Sequence, residues 1–466
     1  MSAAQQQRER GDWIRCPLIV LTRDARKILV AQGEAGLCLP SVGIRAELRV
    51  AASLTSATQQ LLALQTVHCF SLPSPSGGKA YRVMESIADD HGSSAGFEWK
   101  PVRELRANGF ADPADCEAVL AALSRKRDAK APASEPFSRL GWFGEVRQWV
   151  NESVERCGLH LTGDFQQWNA APGFSLIRFA TDERAVWFKA VGKPLAAELK
   201  ITRGLCELFP DYTVRLVALN PKWNAWLATE ADGCSIDEVS CPEAWQYVAG
   251  RLANFQIASI AHTNKILACG AADLSTPVMF QRITELIEEA RTLMSEQKKN
   301  TPAALTDSEL DDLRNAIERS VCEADEIGAP AALGNIDFNP GNVIVNRAAS
   351  CTFLDWAGAY VGYPFATFEY LLEHLRRMPN TSEGRLERLQ HAYWQRWRAH
   401  LDQAQMATLR RITPLLSVFL FADQVRRQRV NANDPATAGY MRSLVRRMKR
   451  ESDLTAAPRA SAPVPA

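Results

Sequence analysis

Eleven cysteines occur without a single CxxC pair, and seven histidines without an HExxH string. The first absence removes the usual zinc-ribbon and dithiol signatures, and the second removes the common zinc-hydrolase motif. There is no GxxxxGK[ST] loop, because Gly78-Lys79 and Gly192-Lys193 are followed by Ala80 and Pro194. A P-loop phosphate cradle is therefore excluded. The chain also lacks a run of about 18 apolar residues, the length a membrane helix needs. Its most apolar stretch, Ile412 to Phe421, is short and carries Pro414, so a buried helix is expected there and no membrane partner.

Charge of one sign is missing too. Lys and Arg number 54 against 53 Asp and Glu, so no global field draws the chain to nucleic acid, and no nucleic-acid partner is expected. One local excess stands out at Arg426, Arg427, Arg429, Arg442, Arg446, Arg447, Lys449 and Arg450, which reads as a solvated helix face, with a phosphate- or RNA-binding patch as the alternative. The scattered cysteines and the polar opening segment, without the apolar core of a signal peptide, point to a reducing cytoplasm.

What is present is a composition of ordinary globular type, with 46% hydrophobic and 23% charged residues over 466 positions, enough for several domains. The apolar runs Leu18 to Thr22 and Ile28 to Ala31, separated by Asp24-Ala25-Arg26, predict a hairpin. A helix follows at Val50 to Leu64, then strands at Val67 to Leu72 and Lys79 to Ile87 around the loop Pro73 to Gly78, and a helix at Asp115 to Ser124. This order, with Leu39-Pro40 and the late segment Phe97 to Leu105, resembles a Nudix-hydrolase domain. The resemblance is architectural: the helix that carries clustered glutamates in that family reads Ser53 to Leu62 without a carboxylate, and Glu47 is the only one nearby. A structural or binding module without hydrolase activity is expected.

Arg125 to Pro136 is charged and then rich in Ala, Pro and Ser, as linkers are. Beyond it come a helix at Phe143 to Cys157, strands at His160 to Gln167, Phe174 to Ala180, Ala185 to Ala190, Val214 to Ala218 and Ala225 to Glu230, and a helix at Pro194 to Leu208. From Glu243 helices dominate, with two short strands near Asn342 to Asn346 and Cys351 to Leu354. The predicted divisions are 1–128, a linker at 129–140, a β-rich lobe at 141–232, a helical lobe at 233–452 and a disordered tail at 453–466.

The chemistry concentrates in Asn335-Ile336-Asp337-Phe338-Asn339-Pro340-Gly341-Asn342, followed by Val343-Ile344-Val345 and by Phe353-Leu354-Asp355-Trp356. A loop carrying Asp337 and Asn342, and a hairpin that delivers Asp355, can bring three oxygen-bearing side chains together. Phosphoryl transfer asks for this set: oxygen ligands for magnesium and a separate carboxylate for the attacking hydroxyl. The pattern resembles the HGDxxxxN and IDW segments of the aminoglycoside phosphotransferase and choline kinase superfamily, over residues 140–450. The fold implied is α+β, a two-lobed protein-kinase-like fold behind the α/β Nudix-like domain. The resemblance also implies Asp337 as catalytic base, Asn342 and Asp355 as magnesium ligands, ATP and Mg2+ as cofactors, and the hydroxyl of a small molecule as acceptor.

In the small lobe, Lys189 stands among apolar neighbours in Ala185 to Ala190, and a half-buried ammonium needs a partner. Glu198 is the preferred partner for holding Lys189 against nucleotide phosphates, with Glu207, at the far end of the same helix, as competitor. Trp168 to Gly173 occupies the place of a phosphate-covering loop, and Trp226 to Glu230 with Ala231-Asp232-Gly233 resembles the lobe connector that contacts adenine. Three positions depart from the pattern, one of them Ile336 in place of its glycine. Asn335 replaces its histidine, and Thr367 stands where an Asp is frequent, so a structural hydrogen bond is expected to be missing there. The alternative reading is a pseudokinase that binds nucleotide or serves as a scaffold. His68, His91, His160, His262, His374, His391 and His400 are assigned structural places, Tyr393, Trp397 and His400 a packing stripe, and the GxSxG match Gly92 to Gly96 is assigned to chance.

Overall fold

Four consecutive side chains, Leu18 to Leu21, are wholly buried, which only a strand covered on both faces can achieve. That strand, β1 (Trp13–Thr22), sits in a sheet ordered β3-β2-β1-β6-β5, running parallel to β6 (Tyr81–Ser86) and antiparallel to β2 (Lys27–Gly33). The computed structural model describes residues 13–45, 49–73, 80–87, 96–127, 135–346, 350–379, 381–428 and 435–456. Glu47, Ser74 to Gly78, most of the Gly92–Gly96 string, much of the linker, Arg429 and the chain after residue 456 lie outside the described residues.

The chain divides into two compact units, Met1–Leu199 with Arg215–Glu230, and Lys200–Val214 with Ala231–Ala466. In the first, β3 (Gly36–Cys38), β4 (Ser41–Arg45), β5 (Thr66–Leu72) and β7 (Glu98–Pro101) complete the sheet of β1, β2 and β6. The predicted hairpin forms: the Asp24 carboxylate accepts from Thr22 Oγ1 and from the Arg26 amide, and Ala25 takes the left-handed conformation between them. Helices α1 (Val50–Leu62) and α2 (Pro113–Arg127) lie where the sequence predicts them. Next come α3 (Trp142–Glu155) and a second sheet ordered β11-β12-β10-β9-β8. Its strands are β8 (Leu161–Ala171), β9 (Phe174–Thr181), β10 (Val186–Val191), β11 (Leu216–Asn220) and β12 (Ala225–Thr229); α4 (Glu198–Leu208) follows β10 in the chain and belongs to the second unit from Lys200 onward.

One hydrophobic cluster serves both sheets of this unit, joining Val67 and Phe70 to Trp142 and Phe143 of α3 and to Phe179 and Phe188. A buried amide adds direction to that contact. Gln167 on β8 accepts from the His68 amide at 2.8 Å and donates to the His68 carbonyl at 3.1 Å, where a bulge between His68 and Phe70 interrupts the pairing of β5 with β6.

Two expectations fail here. Trp168 to Ala171 is not a loop, because the alternating burial of β8 continues through it, and Ala170 and Ala171 pair with Ser175 and Phe174. Only Pro172-Gly173 turns the chain. Helix α4 begins at Glu198 rather than Pro194, since Leu195 and Glu198 spend their amides in turns on Gly192 and Leu195.

The second unit is mainly helical: α5 (Pro242–Ser259), α6 (Thr263–Ala268), α7 (Thr276–Ser295), α8 (Asp307–Glu326), α9 (Phe365–Arg377), α10 (Glu383–Trp397), α11 (Gln403–Gln428) and α12 (Pro435–Ala456). Its strands are β13 (Cys234–Ser235), β14 (Ala272–Asp273), β15 (Ala332–Asn335), β16 (Val343–Val345), β17 (Cys351–Phe353) and β18 (Ala359–Gly362), in sheets ordered β13-β16-β17 and β14-β18-β15. Four of these six, β13, β14, β15 and β18, are not predicted from the sequence. They span four residues or fewer, too little for a period of two to register.

Pro414 lies inside α11, in the buried stretch as expected, and among the described residues no helix is long and apolar enough to cross a membrane. The basic stretch is not a solvated face. Arg442 donates to the Leu293 carbonyl at 2.7 Å, Arg446 to that of Ala303 at 3.0 Å, Arg426 pairs with Asp423 and Glu285, and Arg447 with Glu373. Apart from Asp423, three residues before Arg426 on the same helix, these partners lie more than 70 positions away, beyond the reach of any local pattern. Helix α12 also runs to Ala456, past the expected limit at residue 452.

Candidate active site

The alternation of β10 turns Val186, Phe188 and Ala190 into the core and leaves Trp187 and Lys189 on the other face. Lys189 Nζ reaches Glu198 Oε1 at 2.6 Å and lies 5.5 Å from the ring centre of Trp226, its neighbour on β12. Glu198 is 1% exposed and opens α4, where the positive end of the helix favours a carboxylate. Asn224 pins the intervening segment, donating from Nδ2 to the carbonyls of Val191 and Ala196. Glu207 pairs instead with Arg203, four residues away on its own helix.

In the second unit β15 ends at Asn335, which is 1% exposed and bonds in three directions. Its Oδ1 accepts from the Asp337 amide at 3.1 Å, its Nδ2 donates to the Asp355 carbonyl at 2.8 Å, and its own amide donates to Thr367 Oγ1 at 2.9 Å. One carboxamide therefore ties the Asp337 loop to the Asp355 turn, and a helix residue anchors it. The hydrogen bond expected to be missing at Thr367 is present, because a threonine hydroxyl accepts from an amide as a carboxylate would. Asn335 belongs to a strand, and its register opposite Ala359 on β18 sets the direction in which the loop leaves.

Beyond Asp337 the chain dips into the core with Phe338, whose ring meets Phe353 at 5.3 Å, then turns at Pro340–Asn342. Asn342 Nδ2 donates to the Asp337 carbonyl at 3.2 Å, and the Asn342 carbonyl accepts from the Leu354 amide at 2.8 Å. The residue after Leu354 is Asp355, with φ +59, a left-handed conformation that a few per cent of non-glycine residues adopt and that Asp tolerates better than most. Asp337, Asn342 and Asp355 are thus brought together by main-chain bonds. Asn342 spends its amide nitrogen on the loop, leaving Oδ1 as its acceptor atom. Among the described residues no group of three or more His, Cys, Asp or Glu side chains is placed to hold a metal ion. The donor set is one carboxylate and one carboxamide oxygen, which suits magnesium, an ion that keeps water and phosphate oxygens for its other positions.

Asp337 Oδ1 is approached at 3.4 Å by Tyr370 Oη and, at the same distance, by Asn339 Nδ2. Tyr370 opens a cleft of about 470 Å3 between α9, α11 and α12, with the His374 ring set edge-on to it at 4.9 Å. Burial, and then the Asp337 charge, raises the Tyr370 hydroxyl above its ordinary pKa, and burial followed by Arg377 lowers that of His374. Of the acidic and aromatic residues Glu369, Tyr370, Glu373 and Trp356 that follow the Asp355 strand in sequence, the first three line this cleft, whereas Trp356 is core. Of the cleft's arginines, Arg447 and Arg450 belong to the basic stretch singled out in the sequence, whereas Arg376 and Arg377 are absent from the sequence prediction, although the spacing of Glu369, Glu373, Arg376 and Arg377 on one helix is a visible signal. A larger cleft of about 1070 Å3 lies in the first unit, lined by Arg23, Arg26, Glu85, Ser86 and Arg147, and holds none of the predicted site residues.

No protein-family model matches the sequence, and no curated protein matches it either. Among solved structures the chain is similar to choline kinase from Cryptosporidium parvum Iowa II, at 13% identity and TM-score 0.46 over 62% of this chain and 90% of that one. It is also similar to a choline/ethanolamine kinase family protein from Mesorhizobium loti, at 13% identity and TM-score 0.46 over 68% and 95%. A third is macrolide 2'-phosphotransferase from Brachybacterium faecium, at 15% identity and TM-score 0.43 over 64% and 97%. Each of these three solved structures is described as a kinase, a kinase-family protein or a phosphotransferase.

Proposed function

We propose that this protein transfers the γ-phosphate of ATP to the hydroxyl of a small molecule. The observation that carries the reading is the loop in which one buried carboxamide, that of Asn335, holds Asp337 and Asp355 in register. Asp337 orients the acceptor hydroxyl and takes its proton as the new oxygen–phosphorus bond forms. Asn342 and Asp355 are the residues that would hold magnesium, which when bound neutralises charge on the nucleotide phosphates. In the first unit, the Lys189–Glu198 pair is read as a contact for nucleotide phosphate. The residues before the small lobe resemble a Nudix domain and are read as a binding or structural module, because α1 offers no carboxylate for that chemistry.

The test uses the full chain with labelled ATP, magnesium and a panel of hydroxyl compounds. Transfer is expected, and Asp337→Asn should lower its rate by about a hundredfold or more, the contribution of a positioned general base. Undiminished transfer in Asp337→Asn would refute the assignment of the base. If no acceptor and no slow ATP hydrolysis is found while ATP still binds, the enzyme reading fails and a nucleotide-binding role replaces it.

A further inference from the structure

The cleft beside Asp337 is unusual for its charge. Four arginines line it, Arg376, Arg377, Arg447 and Arg450, against the three glutamates Glu369, Glu373 and Glu451. The glutamates nearest Tyr370 are already engaged. Glu369 bonds Arg376 at 2.6 Å, and Glu373 receives Arg377 at 2.9 Å, Arg447 at 3.1 Å and Arg376 at 3.3 Å. Burial raises the pKa of Glu369, and the Arg376 charge beside it opposes that shift. An ammonium entering this space would have to displace a guanidinium from a carboxylate it holds, and would meet the remaining arginines at close range. An anion meets the opposite: exposed Arg450 on α12 at the rim, and Arg447 one turn before it. Tyr370, Phe421 and Tyr440 supply aromatic surface for a carbon skeleton, and Tyr370 Oη leads to Asp337.

We propose that the acceptor is an acidic hydroxyl compound, a carboxylate or phosphate ester small enough for this cleft, and that Arg450 and Arg447 read its anionic group. This rests on the phosphotransferase reading above, with Asp337 facing the acceptor. In the reaction the bond between the γ-phosphorus of ATP and its bridging oxygen breaks, the acceptor hydroxyl oxygen bonds to that phosphorus, and the hydroxyl proton passes to the Asp337 carboxylate. The products are ADP and a phosphate monoester of the acid. Amino alcohols and aminoglycosides, cationic at neutral pH, are excluded by the same arginines.

The experiment has a binding arm and a transfer arm, both on the full chain. Gluconate and glucose 6-phosphate serve as anionic probes, glucose as the neutral control, and choline and an aminoglycoside as cationic ones. Calorimetry is expected to show binding of at least one anionic probe, weakened about tenfold or more in Arg450→Glu, the size of one lost charge-assisted bond. Arg450 makes no ion pair among the described residues, so this variant should fold, and circular dichroism checks that it does. In the transfer arm Arg450→Glu should raise KM for the acid by a similar factor and leave kcat within about threefold, as removal of uniform binding does. Anion binding that depends on Arg450 without any transfer would uphold the ligand class and defeat the phosphotransferase reading. Transfer confined to cationic or neutral acceptors would uphold the enzyme and overturn this proposal. Failure of both anionic probes to bind would overturn it as well.

Discussion

Replacing Asn335 tests the site through a residue that has no role of its own in the chemistry. Asn335→Ala removes a donor 2.8 Å from the Asp355 carbonyl and an acceptor 3.1 Å from the Asp337 amide, in a position that is 1% exposed. Each main-chain group left unpaired costs about 1–3 kcal/mol where water cannot reach it, and less where it can. Asp337 is exposed and Asp355 half-buried, so the loop can partly rehydrate, and a total of about 2–4 kcal/mol is expected. With about 2–4 °C per kcal/mol for a unit of this size, the unfolding midpoint should fall by roughly 4–16 °C. The effect on transfer should be larger than the stability loss implies at the assay temperature, since a misplacement of about 1 Å can cost a hundredfold. Asn335→Asp separates the two bonds: it keeps an acceptor for the Asp337 amide but sets a carboxylate oxygen against the Asp355 carbonyl. Thermal unfolding and initial transfer rates should show both variants impaired, Asp no less than Ala in rate. If both leave the midpoint within about 1 °C and the rate within about twofold, the tie between the two aspartates is not what holds the site.

Gly358→Ala probes the same junction from outside, because its new Cβ would meet Asn335 Oδ1 at 2.7 Å and the Asp337 amide nitrogen at 3.2 Å. Overpacking of this kind should cost about 1–3 kcal/mol by urea unfolding and slow transfer along with it. Asp423→Asn should destabilise the helical unit by about 3–5 kcal/mol, since it leaves Arg282 buried without its carboxylate and removes a partner of Arg426. Replacing Asp423 and Arg282 together by apolar residues should recover part of that loss. His68 carries a pH dependence: burial, and then Arg82, lowers its pKa from 6.5 to about 4. The folded chain keeps it neutral while the unfolded chain protonates, so stability is lost as pH falls from 6.5 towards 4, by about 1–2 kcal/mol at pH 5.5. His68→Gln should flatten the denaturation midpoint over that range.

Much of the path to the site is legible in the sequence, and the reason is local. The runs that became β1, β2, β9, β10 and β12 announce themselves by apolar content, and the Asp-Phe-Asn-Pro-Gly-Asn string announces a turn between strands. What the sequence hides is every relation that spans the fold. The part played by Asn335 depends on Asp355 and Thr367, 20 and 32 positions away, and no pattern around residue 335 could show it. The arginines of α12 look like a solvated face because their partners sit on α7, α9 and the segment after α7. Trp168 to Ala171 misleads for another reason: Asn, Ala, Pro and Gly in sequence suggest a loop, but the strand partner across the hairpin holds all but the last two in the sheet.

The bond between Gln167 and His68 has a consequence during synthesis. Strand β5 is the edge of its sheet, and the side chain that bonds the amide and carbonyl of residue 68 is encoded 99 residues later. At about 5–20 residues per second, the first sheet waits some 5–20 seconds on the ribosome with that edge unfinished and part of its apolar face uncovered. A chain released early, near residue 130, never receives the missing strand. The first sheet is thus completed by sequence that lies beyond the linker, and its folding is timed by the arrival of β8.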